Sequence, residues 1–390
     1  MSCTPARKKR IVILGSTGSV GSNACKVAKA LPDKVEVVGL CANTSIDLLA
    51  AQAEELGAKM VCCAEPSAYG KLKEKLPSGV KALAGMEGIL EMVTNPDVDM
   101  ILCAIVGTSG LLPVMEGIKH GKEIALASKE VMVMAGERVN ALLKEYGGKI
   151  LPVDSEHSAL FQCLGNTPPD EVERLILTAS GGPFRKTPKE DFPSITWERA
   201  IAHPVWSMGS KVSLDSATLM NKALEMVEAS YLFHCPVEKI HVLIHPQAKI
   251  HSMVEFKDGA FLAHLGVPDM RFPIQYAFSY PERWQGALPR LDLMELNKME
   301  FEEVDESRFP SLAFAREALK AGGTLPCVMN AANEVAYEFF RAGKITFPRI
   351  WDIVEKTMAQ HRTLPDASLE DILSADKNAR EFARTLISSQ

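Results

Sequence analysis

Arg10–Gly21 reads RIVILGSTGSVG: an unbroken apolar run, three glycines at three-residue steps, then residues that open a helix. A run without polar alternation suits a parallel strand covered on both faces. Glycines after such a strand let the backbone turn tightly and approach a pyrophosphate, which sits where the N–H groups of a helix start point. The stretch therefore predicts a doubly wound nucleotide-binding unit, with a strand over Ile11–Gly15 and a helix from about Ser22 to Ala30. The spacing of Gly15, Gly18 and Gly21 is G-x-x-G-x-x-G rather than G-x-G-x-x-G, so the flanking strand and helix carry the reading.

Outward from that turn, Val35–Cys41 is the next strand, and it ends on Ala42, Asn43, Thr44 and Ser45. An acid at this turn takes the ribose hydroxyls of NAD. None stands here, which removes repulsion against a 2′-phosphate and favours NADP. Strand and helix signals then alternate through Met60–Cys63, Pro66–Lys75, Met86–Val93, Asp99–Val106, Leu111–His120, Glu123–Ala127, Glu130–Tyr146 and Lys149–Val153. Such alternation predicts a Rossmann-like, mainly parallel sheet with helices on both faces, over residues 1–153. Ligands of these sheets lie at the carboxyl ends of the strands. Thr108–Ser109, Ser128–Lys129–Glu130 and Asp154–Ser155–Glu156 fall at such ends. Asp154 and Glu156, two apart, suit two oxygen ligands of one hard cation; they suit equally a capped helix start with an acid in its first turn.

The middle of the chain, 154–280, reads as an α+β domain. Val172–Ala179 is a strand leading to Ser180–Gly181–Gly182–Pro183, either an anion-holding loop or a plain turn. His203–Glu225, HPVWSMGSKVSLDSATLMNKALE, concentrates polar chemistry; a helix capped by Asp215 or Ser216 is expected to run unbroken through SATLMNKALEMVEA. Thr218, Asn221, Lys222 and Glu225 would then share one face, solvated or functional. Ile240–His245, His251–Phe256 and Ala260–Leu265 read as a short meander, in which His245, His251 and His264 lack metal-ligand spacing and suit satisfied sheet positions. Residues 281–307 read as a linker. Ser311–Ala321, Cys327–Ala342, Pro348–His361 and Ser368–Ile387 predict a small helical bundle over 308–390, where Asn330, Asn333 and Glu334 share a face suited to packing.

Composition bounds the function. The 390 residues are 47% hydrophobic and carry a net charge of −6, ordinary for a soluble protein of two or three domains. Arg7–Arg10 is the longest basic run, which argues against a nucleic-acid partner. Apolar runs such as Met100–Val106 are far short of a membrane span, and no secretory signal is read. Nine cysteines lack any C-x-x-C spacing, so neither a zinc ribbon nor a dithiol motif is expected, and reduced thiols in a cytoplasmic protein are.

The segments ILGSTGSVG, ASKE, LPVDSEHSALFQ, SGGPFR, HPVWSMG, LDSATLMNKALE, LIHPQAKIHSMV, GVPDMRFPI and NAANEVA, in this order from about Lys9 to the C-terminal helix, together resemble the 1-deoxy-D-xylulose 5-phosphate reductoisomerase family. The resemblance implies a homodimeric, NADPH-dependent enzyme that uses Mg2+, Mn2+ or Co2+ and turns deoxyxylulose 5-phosphate into 2-C-methyl-D-erythritol 4-phosphate. It implies metal ligands at Asp154, Glu156 and Glu225, with Lys129 and Ser155 at the carbonyl and hydroxyl end of the substrate. Ser180, His203, Ser216, Asn221 and Lys222 fall where the family holds substrate, chiefly its phosphate. Thr17, Gly18, Ser19, Val20, Ala42, Asn43, Thr44, Ser128, Glu130 and Gly209 match dinucleotide-contacting positions. Trp206 and Met208 match a flap over about 200–210. Two departures stand out: Ala42–Asn43–Thr44 replaces the usual Gly-Lys-Asn, and Ser128 replaces the amide of Ala-Asn-Lys-Glu.

The implied chemistry needs a hydroxy-ketone held on a Lewis acid, then hydride delivery. Two other readings share parts of the sequence. A semialdehyde or homoserine dehydrogenase would share the first third; the semialdehyde type needs a nucleophilic cysteine at a strand-to-helix turn. A dinucleotide sensor would keep the glycine turn without a carboxylate triad.

Overall fold

Apolar runs become the sheet on which the first half of the chain is built. The computed structural model describes residues 7–206, 208–286 and 288–388. Two compact units divide it: Met1–Val131, Val139–Ser158 and Asp269–Pro289 form one, and Met132–Arg138, Ala159–Pro268 and Arg290–Gln390 the other.

The first unit holds strands β1 (Lys9–Leu14), β2 (Val35–Ala42), β3 (Met60–Cys63), β4 (Lys81–Ala84), β5 (Met100–Cys103), β6 (Glu123–Leu126) and β7 (Ile150–Pro152). They pair in parallel in the order β4-β3-β2-β1-β5-β6-β7. Helices α1 (Ser19–Ala30), α2 (Ile46–Leu56), α3 (Tyr69–Lys75), α4 (Gly85–Thr94), α5 (Leu111–Lys119), α6 (Glu130–Tyr146) and α7 (Ser155–Leu164) follow the strands in turn. Ile11, Val12, Ile13 and Leu14 are all fully buried. At about 1.5–3 kcal/mol for each large apolar side chain, β1 is a principal source of this unit's stability. Strand order reverses between β1 and β5, and that switch point is where open α/β sheets receive ligands. Helix α1 begins at Ser19, three residues before the expected start, because Gly18 takes the cap position. Elements α2 and β4 add to the expected alternation.

The second unit carries β8 (Val172–Ala179), α8 (Trp197–Ala200), α9 (Ser210–Thr218), α10 (Met220–Phe233), β9 (Ile240–Ile244), β10 (Ile250–Phe256) and β11 (Phe261–Leu265). The chain then returns to the first unit for α11 (Arg271–Ser279), which packs on α1 there, and the second unit resumes with α12 (Leu293–Leu296), β12 (Glu302–Glu303), α13 (Ser311–Ala321), α14 (Leu325–Arg341), α15 (Arg349–Gln360) and α16 (Leu369–Ser388). The sheet order is β11-β10-β8-β9-β12.

Three expectations are corrected here. The strands after α10 are not a meander: β8 inserts between β9 and β10, parallel to the first and antiparallel to the second. The stretch read as a linker supplies β12, whose Glu302 and Glu303 pair with Ile244 and Leu243 of β9. The helix read as continuous is broken at Leu219, which takes a left-handed conformation (φ 60°, ψ 11°) and separates α9 from α10. Asp215 and Ser216 therefore lie inside α9, not at a cap.

His245 is a satisfied sheet histidine, as expected: its Nδ1 lies 2.9 Å from the Glu300 carbonyl and its Nε2 accepts from the Lys249 N–H at 3.2 Å. The core of this unit gathers Phe192, Phe309 and Phe347 around Trp351, with ring centroids 5.9, 6.0 and 5.3 Å from it. No helix of the described residues is long and apolar enough to cross a membrane.

Candidate active site

The glycine turn is fixed by contacts that only glycine permits. Gly15 has φ +84°, and a Cβ there would lie 2.5 Å from the Ala104 carbonyl oxygen at the head of β5. A Cβ on Gly21 would stand 2.1 Å from the Gly15 oxygen. The N–H groups of Gly15 and Ser16 both donate to the Cys41 carbonyl at 2.8 Å, so β2 holds the turn from the other side. Helix α1 then starts with Gly18 as cap and without an acid in its first turn, which leaves Ser19 and Val20 amides at an uncontested positive helix end. Thr17, Gly18, Ser19 and Val20 are exposed or half-buried. Sequence reasoning missed the latch beneath them. Ser16, fully buried, donates to Gln52 Oε1 at 2.8 Å, and Gln52 Nε2 returns a bond to the Ser16 carbonyl at 3.0 Å. A glutamine in the middle of α2 gives no signal of that pairing.

Ala42 closes β2 in the core, while Asn43 and Thr44 are exposed at the turn before α2. Ser128 is buried and its hydroxyl donates to the Ile105 carbonyl at 2.5 Å, tying the end of β6 to the loop after β5. Its neighbour Lys129 caps α6, and Glu130 opens it.

Lys129 Nζ lies 2.5 Å from Asp154 Oδ2, with both side chains nearly buried. Asp154 stands just before α7, Ser155 is its first residue and Glu156 falls in its first turn. The helix start expected as one alternative is formed, and the carboxylates of Asp154 and Glu156 each bring an oxygen within 4.8 Å of the other, a spacing compatible with one cation. Ser155 Oγ donates to the Glu156 carboxylate. His157, unnoticed in the sequence, is fully buried one turn on, with Nδ1 3.9 Å from Asp154 Oδ2.

In the second unit, β8 delivers Ser180 to a loop whose Gly181 and Gly182 have φ +84° and +65°. A Cβ on Gly182 would lie 2.6 Å from the Ser216 carbonyl oxygen, so the loop sits directly against α9. His203 joins this loop to the segment that follows it in sequence. Its Nδ1 accepts from the N–H groups of Val205 at 3.2 Å and Trp206 at 2.8 Å. A nitrogen that accepts carries no proton, so the neutral ring bears its hydrogen on Nε2, 2.9 Å from Ser180 Oγ. Ser180 Oγ also accepts from the Gly182 N–H at 3.2 Å, which leaves its own proton to donate to an anion. Further along this segment, the Trp206 ring lies 6.1 Å from that of His251; Ser207 lies outside the described residues.

Gly209 caps α9, whose Ser216 lies near its end. Past Leu219, α10 begins with Asn221 and Lys222, both buried. Each bonds Glu225: Asn221 Nδ2 to Oε1 and Lys222 Nζ to Oε2, both at 2.5 Å. Glu225 is fully buried, so its charge is matched by two donors one turn away. Thr218 does not join this face; its hydroxyl bonds the Leu214 and Asp215 carbonyls within α9.

Three family models match the chain: 1-deoxy-D-xylulose 5-phosphate reductoisomerase over residues 11–136, its C-terminal domain over 150–233, and the DXP reductoisomerase C-terminal domain over 265–382. The chain belongs to the 1-deoxy-D-xylulose 5-phosphate reductoisomerase family. A reductoisomerase of Phocaeicola vulgatus is 47% identical over 98% of this chain and 100% of its own. One of Chlorobaculum tepidum is 47% identical over 97% and 100%. Among solved structures, the Zymomonas mobilis reductoisomerase in complex with NADPH superposes with a TM-score of 0.93 at 43% identity, covering 98% of this chain and 100% of that one. A DOX-P reductoisomerase in complex with NADPH, fosmidomycin and magnesium gives 0.91 at 37% identity, covering 97% and 98%.

Proposed function

We propose that the chain is an NADPH-dependent reductoisomerase that converts 1-deoxy-D-xylulose 5-phosphate into 2-C-methyl-D-erythritol 4-phosphate, in the non-mevalonate supply of isoprenoid precursors. The observation that carries this reading is the close pair of carboxylates, Asp154 and Glu156, beside the Lys129 ammonium in a chain of this family.

Asp154 and Glu156, with Glu225 as third ligand, make an all-oxygen donor set that fits Mg2+, Mn2+ or Co2+ better than a thiophilic ion. When bound, the cation supplies Lewis acidity and a template for two adjacent substrate oxygens. NADPH supplies the hydride, with Thr17, Gly18, Ser19 and Val20 on its pyrophosphate, Ala42, Asn43 and Thr44 at its adenosine ribose, and Ser128, Glu130 and Gly209 towards its nicotinamide.

The chain's own groups do the rest. Lys129 holds a proton and positive charge beside Asp154, where it stabilises charge developing on substrate oxygen or returns a proton to it. Ser155 offers a hydroxyl to the same end of the substrate. Ser180, poised by His203 to donate, joins Ser216, Asn221 and Lys222 in holding the phosphate through charge-assisted bonds. The flap with Trp206 and Met208 closes over the bound sugar phosphate and excludes water.

In this reading residues 1–153 carry the dinucleotide, 154–280 the chemistry and dimer contacts, 281–307 link, and 308–390 close the chain with helices. The chain acts as a cytoplasmic homodimer. Eight described cysteines are free thiols, seven of them buried, which fits a reducing compartment. Edge strand β11 exposes Phe261 and Leu265 on one face and Leu262 on the other, an apolar edge suited to a second copy.

The test is consumption of NADPH on adding 1-deoxy-D-xylulose 5-phosphate. Turnover with NADPH, weaker turnover with NADH and loss on chelation are expected. Absent turnover with Mg2+ and Mn2+ both supplied would refute the reading.

A further inference from the structure

Helix α9 meets the C-terminal helices at its start, its flank and its end. At the start, Ser210 Oγ lies 2.9 Å from the Tyr337 hydroxyl of α14. On the flank, Asp215 is buried; its Oδ1 accepts from Asn333 Nδ2 at 3.0 Å, and its Oδ2 pairs with Lys211. Asn333 is itself 1% exposed. At the end, the Thr218 carbonyl accepts from Ser311 Oγ of α13 at 2.7 Å and from Trp351 Nε1 of α15 at 3.3 Å. Trp351 Nε1 also donates to Ser311 Oγ at 2.9 Å.

These bonds answer a local problem. A leucine at φ 60° is strained, and the break strands the last carbonyls of α9 in the core. Outside donors satisfy one of those carbonyls and so stabilise the break. The break in turn decides where Ser216, one residue past Asp215, stands relative to Asn221 and Lys222 in the first turn of α10.

We propose that Asn333, through Asp215, and Ser311 with Trp351, through the Thr218 carbonyl, are positioning residues that set α9 for the substrate phosphate. This rests on the reading of Ser216, Asn221 and Lys222 as the phosphate-holding end. It gives the C-terminal helices a part in substrate affinity rather than in packing alone. Asn333 touches no substrate atom in this scheme; it acts by fixing the rotation of the helix that carries Ser216.

The test compares Asn333→Leu, Ser311→Ala and Ser311→Thr with the unaltered chain in steady-state assays with 1-deoxy-D-xylulose 5-phosphate. A bond to a charged group is worth roughly a tenfold change or more in KM. Asn333→Leu is expected to raise substrate KM about that much, and Ser311→Ala, which loses a bond to a neutral carbonyl, about fivefold, each with NADPH affinity within about twofold. Ser311→Thr keeps the hydroxyl and is expected to restore most of the loss. In a Ser216→Ala background, Asn333→Leu should add little, because both act through one contact.

Wild-type substrate KM in Asn333→Leu and Ser311→Ala, an equal loss of NADPH affinity, or strict additivity with Ser216→Ala would overturn the proposal. If Asn333→Leu fails to fold, the Ser311 pair decides alone. Wild-type KM in Ser216→Ala itself would refute the phosphate reading beneath the proposal, a failure distinct from that of Asn333.

Discussion

His203 shows how one ring can serve two parts of a site. Its Nδ1 folds the 203–206 turn, the proposed flap, by accepting from Val205 and Trp206, while its Nε2–H orients Ser180. An asparagine amide reaches the Nδ1 position and a glutamine amide the Nε2 position, so the roles are separable. His203→Asn should keep the flap turn and lose the Ser180 contact; His203→Gln should do the reverse. Each is expected to lower kcat/KM by about tenfold, the worth of one good hydrogen bond. Limited proteolysis within 203–209 should quicken only in the glutamine variant, and equal protease sensitivity in the two would contradict the division. An imidazolium would present a donor to two N–H groups, so the turn requires the neutral ring.

At this scale the sequence is uneven in what it discloses. Asp154, Glu156, Lys129 and Glu225 stand out as charged groups at strand ends and on a helix face. Ser16, Gln52, His157 and Asp215 do not, because each gains its meaning from a partner or a burial that composition leaves unmarked. Gln52 lies 36 residues from Ser16, and Asp215 lies 118 from Asn333.

Among elements, the glycine turn is legible because its constraint is local. Gly21 meets the Gly15 carbonyl within the same turn, whereas a Cβ on Gly18 would stand 3.3 Å from that oxygen, a tight but yielding contact. Gly21→Ala is therefore expected to weaken NADPH binding more than tenfold and Gly18→Ala much less, read by fluorescence titration. Comparable binding by Gly21→Ala and the unaltered chain would show that the turn does not hold the dinucleotide.

Strand β4, Lys-Ala-Leu-Ala, is too short and small-chained to announce itself, and β12 is two glutamates. The place of β8 at the centre of its sheet rests on pairing with β10, some 70 residues later. Hydrophobic period cannot report such a register. The break at Leu219 escapes for another reason. Leucine favours the helix interior, and only tertiary donors from α13 and α15 make the left-handed turn tolerable.

For the whole molecule, two compact units carry complementary halves of the proposed chemistry, and the helices beyond residue 308 share a core with the middle sheet. That sharing is hidden in sequence, where the C-terminal helices read as a separate bundle. The proposed homodimer through β11 makes a further expectation. Leu262 is 51% exposed on an edge strand, so Leu262→Asp should shift sedimentation from dimer to monomer at micromolar concentration while leaving the fold intact. A dimer unaffected by that substitution would move the interface elsewhere.

The most direct measurement is Mn2+ binding, followed by electron paramagnetic resonance, in the unaltered chain and in Asp154→Asn, Glu156→Gln and Glu225→Gln. One Mn2+ per chain is expected, weakened at least tenfold in each variant, with turnover of 1-deoxy-D-xylulose 5-phosphate falling by about a hundredfold or more. Unchanged Mn2+ affinity and turnover in Glu225→Gln would contradict a cation held jointly by the three carboxylates.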